Sequence, residues 1–194
     1  MRIVVIEQPK PIVTPSQVPG GHAADDALVT TMIKAAQAEI DGPTGWLGRS
    51  LGEQTLELAS ECWPSSLPSR PIIEIESITV DDIEVEGVGI EFDGCLIIPD
   101  NAPRPARKFR CRYRAGYNGK PDNAPSTGEV PPNAVAAVIL MTQELLAQTK
   151  ANGGLRTFAI DGGFSEAYNS PEMVAKARTV AVDRLLAPLR VYAL

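Results

Sequence analysis

The spacing of apolar residues along the chain predicts three long helices. The first covers residues 25–42 and begins at two aspartates, which can cap a helix and complement its dipole. The second begins at a pair of prolines and is apolar on nearly every face from residue 134 to residue 146. It must therefore be covered on several sides, by the rest of the chain or by neighbouring subunits. The third covers residues 171–186, and its expected apolar face consists of Val174, Ala177, Val180, Ala181, Leu185 and Leu186.

Between residues 54 and 117 the apolar period changes to two, which predicts an antiparallel β insertion. Asp93-Gly94 favours a hairpin turn. Asp81-Asp82 is better explained as a polar turn than as a metal-binding or acid-base pair, because adjacent strand residues point to opposite faces. The candidate strands are residues 55–59, 73–80, 83–85, 89–92, 96–98 and 108–113.

One candidate strand carries its apolar residues out of phase. By simple alternation Ile73 and Ile75 lie on one face. Ile78 and Val80 then fall on the other face. A β-bulge near residues 76–77 would bring all four back to a common apolar face, so we predict a bulge there.

The 194 residues, of which 44% are hydrophobic, can bury a core as one domain or as one domain with an insertion. The predicted fold class is α+β: a small helical bundle, of roughly three to four helices, with an inserted antiparallel β domain. The first 24 residues hold four prolines, so they are expected to extend with polyproline or strand character. The predicted parts are an N-terminal arm at 1–24, a helical core at 25–53 and 131–188, the β insertion at 54–117, and a C-terminal tip at 189–194.

Charge is segregated within the β insertion. Nine carboxylates and no basic residue lie between residues 72 and 100, whereas six basic residues lie between residues 104 and 114. Arg110, Arg112 and Arg114 alternate with apolar residues, so their guanidinium groups should share one sheet face.

This arginine face has three possible uses. It could pair with carboxylates of the same insertion on a solvated face, each pair contributing about 0.2–1 kcal/mol. It could instead meet the acidic edge of a neighbouring subunit, where complementary charge sets register and orientation. Direct contact with DNA is a third use. The carboxylates available for pairing within the chain are Glu74, Glu76, Glu84 and Glu86.

Composition indicates little catalytic chemistry. The net charge of -6 argues against binding nucleic acid through a general basic surface. The chain has one histidine, His22, and lacks the common nucleotide-binding and nucleophile motifs, so we predict no catalytic residue, metal or cofactor. Cys62, Cys95 and Cys111 are widely spaced and odd in number, which is typical of free thiols in a reducing cytoplasm. No window approaches the roughly 20 apolar residues of a membrane span, and no signal peptide is evident, so a soluble, unexported protein is expected.

Four short segments resemble the head-tail connector (adaptor) proteins of long-tailed bacteriophages. Residues 44–51 (TGWLGRSL) occupy the place of that family's Thr-Gly-Arg turn after the first helix, although the turn is longer here. Residues 112–117 (RYRAGY) are similar to the family's TYTAGY strand end. Residues 155–165 (LRTFAIDGGFS) lead into a last helix that finishes at residues 185–192 (LLAPLRVY), where a proline breaks the helix near its end.

The resemblance implies a structural protein of the virion neck, made in the host bacterial cytoplasm, with no enzymatic activity and no cofactor. It implies a closed ring, expected to be a dodecamer, that extends the DNA channel between the portal and the stopper, head-completion or tail protein. The expected partners are other copies of the chain, these neck proteins, and passing double-stranded DNA without sequence specificity, but no membrane. The residues expected to dock into the portal are Pro188, Leu189, Arg190, Val191, Tyr192 and Leu194. Those expected at contacts between subunits are Arg156, Phe158, Ile160 and Phe164. The segregated charge of the β insertion adds Arg110, Arg112 and Arg114 to the residues expected at these contacts.

Other interpretations stay open. The C-terminal tip could fold back onto the protein's own core instead of docking elsewhere. The chain could be a small-molecule-binding or enzymatic α+β protein with a pocket between the sheet and Trp46. It could also be a DNA-binding module that uses residues 104–114. Trp46 and Trp63 both lie beside turns and are expected to be lids over a helix-sheet junction.

Overall fold

The computed structural model describes residues 1–91, 94–119, 126–150, 157–160, 164–167 and 171–191. Within this part of the chain the fold is mixed α+β, with three α-helices and a five-stranded antiparallel sheet, so the predicted α+β class is confirmed. Contacts divide the chain into two compact units. The sheet unit comprises residues 1–12, 37–131 and 190–194, and the helical unit comprises residues 13–36 and 132–189.

The main sheet is built from both the start and the middle of the chain. With the strands numbered along the chain, the spatial order across the sheet is first, second, seventh, third and fourth. Every neighbouring pair is antiparallel. The fifth and sixth strands form one hairpin, and the eighth and ninth form another. All six strands predicted in the insertion are present within two residues of their expected ends. The strands are β1 (Arg2–Glu7), β2 (Gln54–Ser60), β3 (Ile72–Val80), β4 (Ile83–Glu84), β5 (Gly89–Glu91), β6 (Cys95–Ile97), β7 (Phe109–Ala115), β8 (Thr157–Ile160) and β9 (Phe164–Ala167).

One face of the main sheet is buried because apolar residues occupy alternate positions of its central strands. Leu56 and Leu58 on β2 are fully buried. Phe109, Cys111 and Tyr113 on β7 are fully buried as well, and all five belong to one apolar cluster. Since alternate residues of a strand share a face, this cluster is the core of the sheet unit.

The predicted β-bulge in β3 is confirmed. The pairing register between β3 and β7 shifts between Ile75 and Ser77, which leaves Glu76 as the extra residue. Ile75 and Ile78 consequently both pack against the core of the sheet unit. A second register shift, which the sequence pattern did not predict, lies near the start of β3.

Asp81 and Asp82 form the turn between β3 and β4, as predicted. Their φ angles of 52° and 65° are those of a two-residue hairpin turn with both residues left-handed. The Asp82 carboxylate accepts from Nζ of Lys108 at 2.8 and 2.9 Å, and this hydrogen bond and charge lower the pKa of Asp82. Of the other predicted turn, Asp93 lies outside the described residues.

The described helices are α1 (Ala27–Ile40), α2 (Pro132–Lys150) and α3 (Pro171–Leu186), close to their predicted bounds. Asp26 caps α1, because its Oδ1 accepts from the backbone N–H groups of Leu28 and Val29 at 3.0 and 3.1 Å. Within the helical unit α2 packs against α3. A 3-10 turn at Ala187–Leu189 follows α3, so the α-helix ends before Pro188 as the ring of that residue requires.

The apolar face predicted for α3 is partly wrong. Leu186 is fully buried as expected, but Val180 is 43% exposed and Ala177 is also exposed. Val182, which was not in the predicted set, is buried. The helix is rich in alanine, which suits either face, so its apolar period is too weak to fix the orientation. The side chain of Val174 lies outside the described residues.

The N-terminal arm takes strand character at its start. β1 pairs antiparallel with β2, and their register shifts between Val5 and Glu7. Residues 1–12 belong to the sheet unit, whereas the rest of the arm belongs to the helical unit. The arm therefore contributes to both units.

Candidate assembly surfaces

Helix α2 leaves much of its apolar surface only half covered. One stripe is buried, formed by residues 134, 137, 138, 142 and 146. Thr142 belongs to this stripe because its hydroxyl donates to the backbone O of Val138 at 2.7 Å. The larger apolar side chains outside this stripe are half-buried, and they are Val135, Ile139, Leu140, Met141 and Leu145.

The three arginines of β7 lie on the face opposite the core, as the alternation predicts. Arg114 forms ion pairs with Glu74 of β3 and with Glu53, which precedes β2. Glu53 also pairs with Lys10 of the N-terminal arm. Pairing of Arg114 with Glu74, one of the three uses considered for the arginine face, is thus present, and it is part of a chain of charges that joins four segments: the N-terminal arm, the segment before β2, β3 and β7.

Arg110 and Arg112 are held less firmly than Arg114. The charge of Arg110 acts on Asp82, where it contributes to the lowered pKa of that carboxyl. Nε of Arg112 is buried and has no hydrogen-bond partner in the described part of the chain. A buried donor without a partner is costly, so this nitrogen does not add to the stability of the arginine face.

The C-terminal tip runs back along the turn that carries Trp46. The guanidinium of Arg190 lies 5.5 Å from the centroid of the Trp46 ring, a cation-π contact of about 0.5–1 kcal/mol at an exposed site. The backbone N–H of Val191 donates to the O of Leu47 at 2.9 Å. The side chain of Val191 nevertheless stays 42% exposed. Of the residues expected to dock into the portal, these two lie against the sheet unit, and Tyr192 and Leu194 lie outside the described residues.

The residues predicted at subunit contacts near the C terminus lie on a hairpin. Phe158 and Ile160 belong to β8, and Phe164 belongs to β9. In the antiparallel register Ile160 pairs with Phe164. Arg156 lies outside the described residues.

A buried polar junction, which the sequence analysis missed, joins the end of α1 to the segment before β2. Oδ1 of Asp41 accepts from the backbone N–H of Leu51 at 2.7 Å and from Nε2 of Gln54 at 3.1 Å. Its Oδ2 accepts from Nε2 of Gln37 at 2.7 Å and from the N–H of Gly52 at 2.9 Å. Burial raises the pKa of Asp41, although these hydrogen bonds oppose the effect.

The same junction holds the N-terminal arm. Nε2 of Gln37 also donates to the backbone O of Lys10 at 2.9 Å, and Oε1 of Gln37 accepts from the N–H of Ile12 at 3.0 Å. Gly52 is packed so closely that a Cβ there would lie 2.2 Å from the O of Lys10. The signal in the sequence was a pair of polar residues, Gln37 and Asp41, at helical spacing on the buried side of an apolar helix.

Two of the segments that carry the family resemblance meet at this junction. Nη1 of Arg49, from the segment 44–51, donates to the hydroxyl of Tyr117 at 3.1 Å. The backbone N–H of Tyr117, which ends the segment 112–117, donates to the O of Leu51 at 3.1 Å. The two motifs therefore form one structural element although they lie far apart in the sequence.

The other side chains considered in the sequence analysis are Trp63, His22 and the three cysteines. The Trp63 ring lies 5.0 Å from that of Phe109, and its Nε1 donates to the O of Pro103 at 3.0 Å. Trp63 therefore packs against the core of the sheet unit, as a lid would, but these contacts are to a strand and a loop and not to the predicted helix-sheet junction. His22 lies 3.6 Å from the carboxylate of Asp26. Cys62 and Cys95 are exposed free thiols, and burial raises the pKa of the free thiol of Cys111 to about 12.

An open depression of about 1020 Å³ lies beside Gly48, Arg70 and Val191 in the sheet unit. Among the described residues, no group of three or more His, Cys, Asp or Glu side chains is placed to hold a metal ion. No helix in the described part of the chain is long and apolar enough to cross a lipid bilayer.

Comparison with models of known protein families gave no match, and no curated protein showed significant similarity to the chain.

Proposed function

We propose that this chain is a structural head-tail connector of a tailed bacteriophage, without enzymatic activity, located in the virion neck. In this proposal a small helical bundle carries the β domain as an insertion. Copies of the chain assemble into a closed ring, of about twelve subunits by the family resemblance, between the portal and the stopper or tail-completion proteins. Double-stranded DNA passes through the ring without sequence-specific contact.

The observation that carries the proposal is the half-covered apolar surface of α2. A monomer in water gains nothing from leaving Ile139, Leu140 and Met141 partly exposed. A closed ring repeats one heterologous contact by rotation, so each copy needs a patch that a different patch of its neighbour covers. The α2 surface can supply one such patch.

Two further observations support the proposal. The contact of Arg49 with Tyr117 joins the two segments that resemble the family's turn and strand end, as expected if both serve one structural role. The net charge of -6 suits a channel that lets DNA slide, because like charge weakens binding to phosphates.

Electron microscopy of the purified protein, alone and mixed with portal rings of the same phage, tests the proposal. We expect annular particles with a central hole, either free or stacked on the portal. Leu140→Glu should abolish the annular particles while leaving circular dichroism unchanged, because it places a charge in the proposed contact. Ala147→Glu, at an exposed position of the same helix, is the matched control and should still assemble.

Compact monomers at every concentration, with no binding to the portal, would contradict the proposal. Equal assembly of both variants would instead remove α2 from the contact.

A further inference from the structure

Strand β1 is an exposed edge of the main sheet. Five of its six residues pair with β2, on one side only, because β1 is terminal in the strand order. Val4 is 39% exposed and Ile6 is 41% exposed. An edge strand presents alternate N–H and C=O groups to any extended chain. Lysine and proline commonly protect such edges, and β1 contains neither.

The β1 sequence is complementary to itself in antiparallel orientation. A twofold axis at Val4 and normal to the sheet places Val4 opposite the same residue of a second copy, and Ile3 opposite Val5. Arg2 of one copy then lies opposite the far end of β1 in the second copy, which is formed by Ile6 and Glu7.

The register shift in β1 places the opposite charges of Arg2 and Glu7 on the same face of the sheet. Arg2 and Val4 pair with Ala59 and Glu57 of β2, on the face that also carries the β7 arginines. Strict alternation would place Glu7 on the core face, but the register shift after Val5 pairs it with Thr55, on the same face as Arg2. Across the twofold axis, each Arg2 would therefore meet a Glu7 on one face.

We propose that β1 is a dimerisation edge through which two copies of this chain pair antiparallel about Val4, so that their main sheets become continuous. The opposite edge is unsuited to this role, since β4 has two residues and carries the acidic turn. The inference goes beyond the proposed ring and does not depend on it, because a twofold contact is isologous whereas a ring contact is heterologous.

The dimer is expected to be weak. A six-residue strand is about 20 Å long, and pairing of this length buries less than the roughly 1,200 Å² of a standard stable interface. Dissociation constants in the range of tens to hundreds of micromolar are therefore expected for two isolated copies.

Disulfide trapping tests the register. Cys62 and Cys95 are replaced by serine, while the buried Cys111 is retained and serves as an internal negative control. In that background Val4→Cys places two thiols at the axis, where opposed Cβ atoms lie about 4.5–5.5 Å apart, close to the span of a disulfide. Ile97→Cys, at a 52% exposed position outside the main sheet, is the matched control. With oxidised glutathione we expect Val4→Cys to form covalent dimers at least about tenfold faster than Ile97→Cys.

Charge exchange tests the pairing of Arg2 with Glu7. Arg2→Glu and Glu7→Arg each place like charges opposite one another in a homodimer, which should weaken sedimentation-measured dimerisation by about 3- to 30-fold. In a mixed dimer, the two carboxylates of the Arg2→Glu copy face the two guanidinium groups of the Glu7→Arg copy. Mixing the variants should therefore restore association to the wild-type level, and only contact between two copies predicts this rescue.

Several results would overturn the inference. Trapping of Val4→Cys no faster than Ile97→Cys would exclude the register, and sedimentation as a monomer at millimolar concentration would exclude the dimer. Growth beyond the dimer, with no gain on mixing the charge variants, would indicate pairing with another edge and equally refute it. Ring formation with the portal is measured separately, so the two proposals can fail independently.

Discussion

At the scale of single residues, Asp41 stands out among the described side chains for the number of hydrogen bonds that its carboxylate accepts. Its two carboxylate oxygens accept four hydrogen bonds, from backbone and side-chain donors, in a site that is 4% exposed. Each donor would be left buried and unpaired without it, and such groups cost about 1–3 kcal/mol each. Asp41 therefore acts as a structural anchor for the loop before β2 rather than as an exposed reactive group.

Asp41→Asn should lower the free energy of unfolding by about 2–4 kcal/mol, because the amide NH2 would face two donors instead of accepting from them. Urea denaturation measures the change. Asp100→Asn, an exposed carboxylate, is the control and should stay within about 0.5 kcal/mol of the wild type. Equal stability of the two variants would show that the Asp41 hydrogen bonds contribute nothing net.

The difference in unfolding free energy between the wild type and Asp41→Asn should depend on pH, and the sign of this dependence follows from the pKa of Asp41. Burial raises the pKa of Asp41 in the folded protein above its usual 3.8, so the native state holds the proton more tightly than the unfolded chain. The stabilisation from this proton is fully present below about pH 4 and is lost as pH rises through the native pKa. The stability advantage of the wild type over Asp41→Asn should therefore be largest near pH 4 and shrink toward pH 7. An advantage that grows with pH would mean that the hydrogen bonds outweigh burial.

At the scale of elements, the N-terminal arm crosses the segment before β2 in a close backbone contact. A Cβ at position 52 would lie 2.2 Å from the O of Lys10 and 2.7 Å from Nε2 of Gln37. Neither the arm nor the Gln37 amide can give way without losing hydrogen bonds. Glycine is required here for close approach and not for an unusual φ angle.

Gly52→Ala should therefore cost more than about 3 kcal/mol of unfolding free energy, since the clash is with backbone. It should also increase hydrogen exchange in β1, because the arm is displaced. Gly89→Ala is the matched control: its added Cβ would meet only the side chain of Ile97, at 3.4 Å, and should cost less than about 1 kcal/mol. Similar stability of the two variants would show that the arm can shift freely.

The elements differ in how far the sequence predicted them. β7 alternates arginine with apolar residues, so its two faces follow from local pattern alone. The β3 bulge was predictable because the apolar phase changes within one strand, and the fold must keep one face buried. The orientation of α3 was not predictable, since alanine is compatible with either face. The Asp41 junction was missed because burial of a polar residue depends on donors that come from distant parts of the chain.

At the scale of the whole molecule, two kinds of surface remain available for assembly. The helical unit offers half-covered apolar side chains on α2, and the sheet unit offers the β7 arginines together with the β1 edge. Apolar contact supplies most of the association free energy, whereas charge sets partner choice and orientation. A chain with both kinds of surface is suited to assembly with defined geometry.

The arginine face permits a test that separates assembly from stability. Arg114 is already bound twice within the chain, to Glu53 and Glu74, so Arg114→Glu should lower the free energy of unfolding by about 1–3 kcal/mol. Arg112 has a buried donor without a partner in the described part of the chain, and Arg110 is exposed. In the proposed ring, where the β7 arginines meet a neighbouring subunit, the double change Arg110→Glu and Arg112→Glu should weaken assembly, measured by light scattering.

That loss should be greatest at low salt and fade as ionic strength approaches about 1 M, where charges are screened within about 3 Å. The control is Lys34→Glu with Arg184→Glu, which changes the net charge equally at exposed positions outside the sheet unit. If both double variants lose assembly alike, net charge alone is responsible. If neither does so at any salt concentration, the β7 arginines serve only the solvated face of one chain, and the contact between subunits has to be sought on α2.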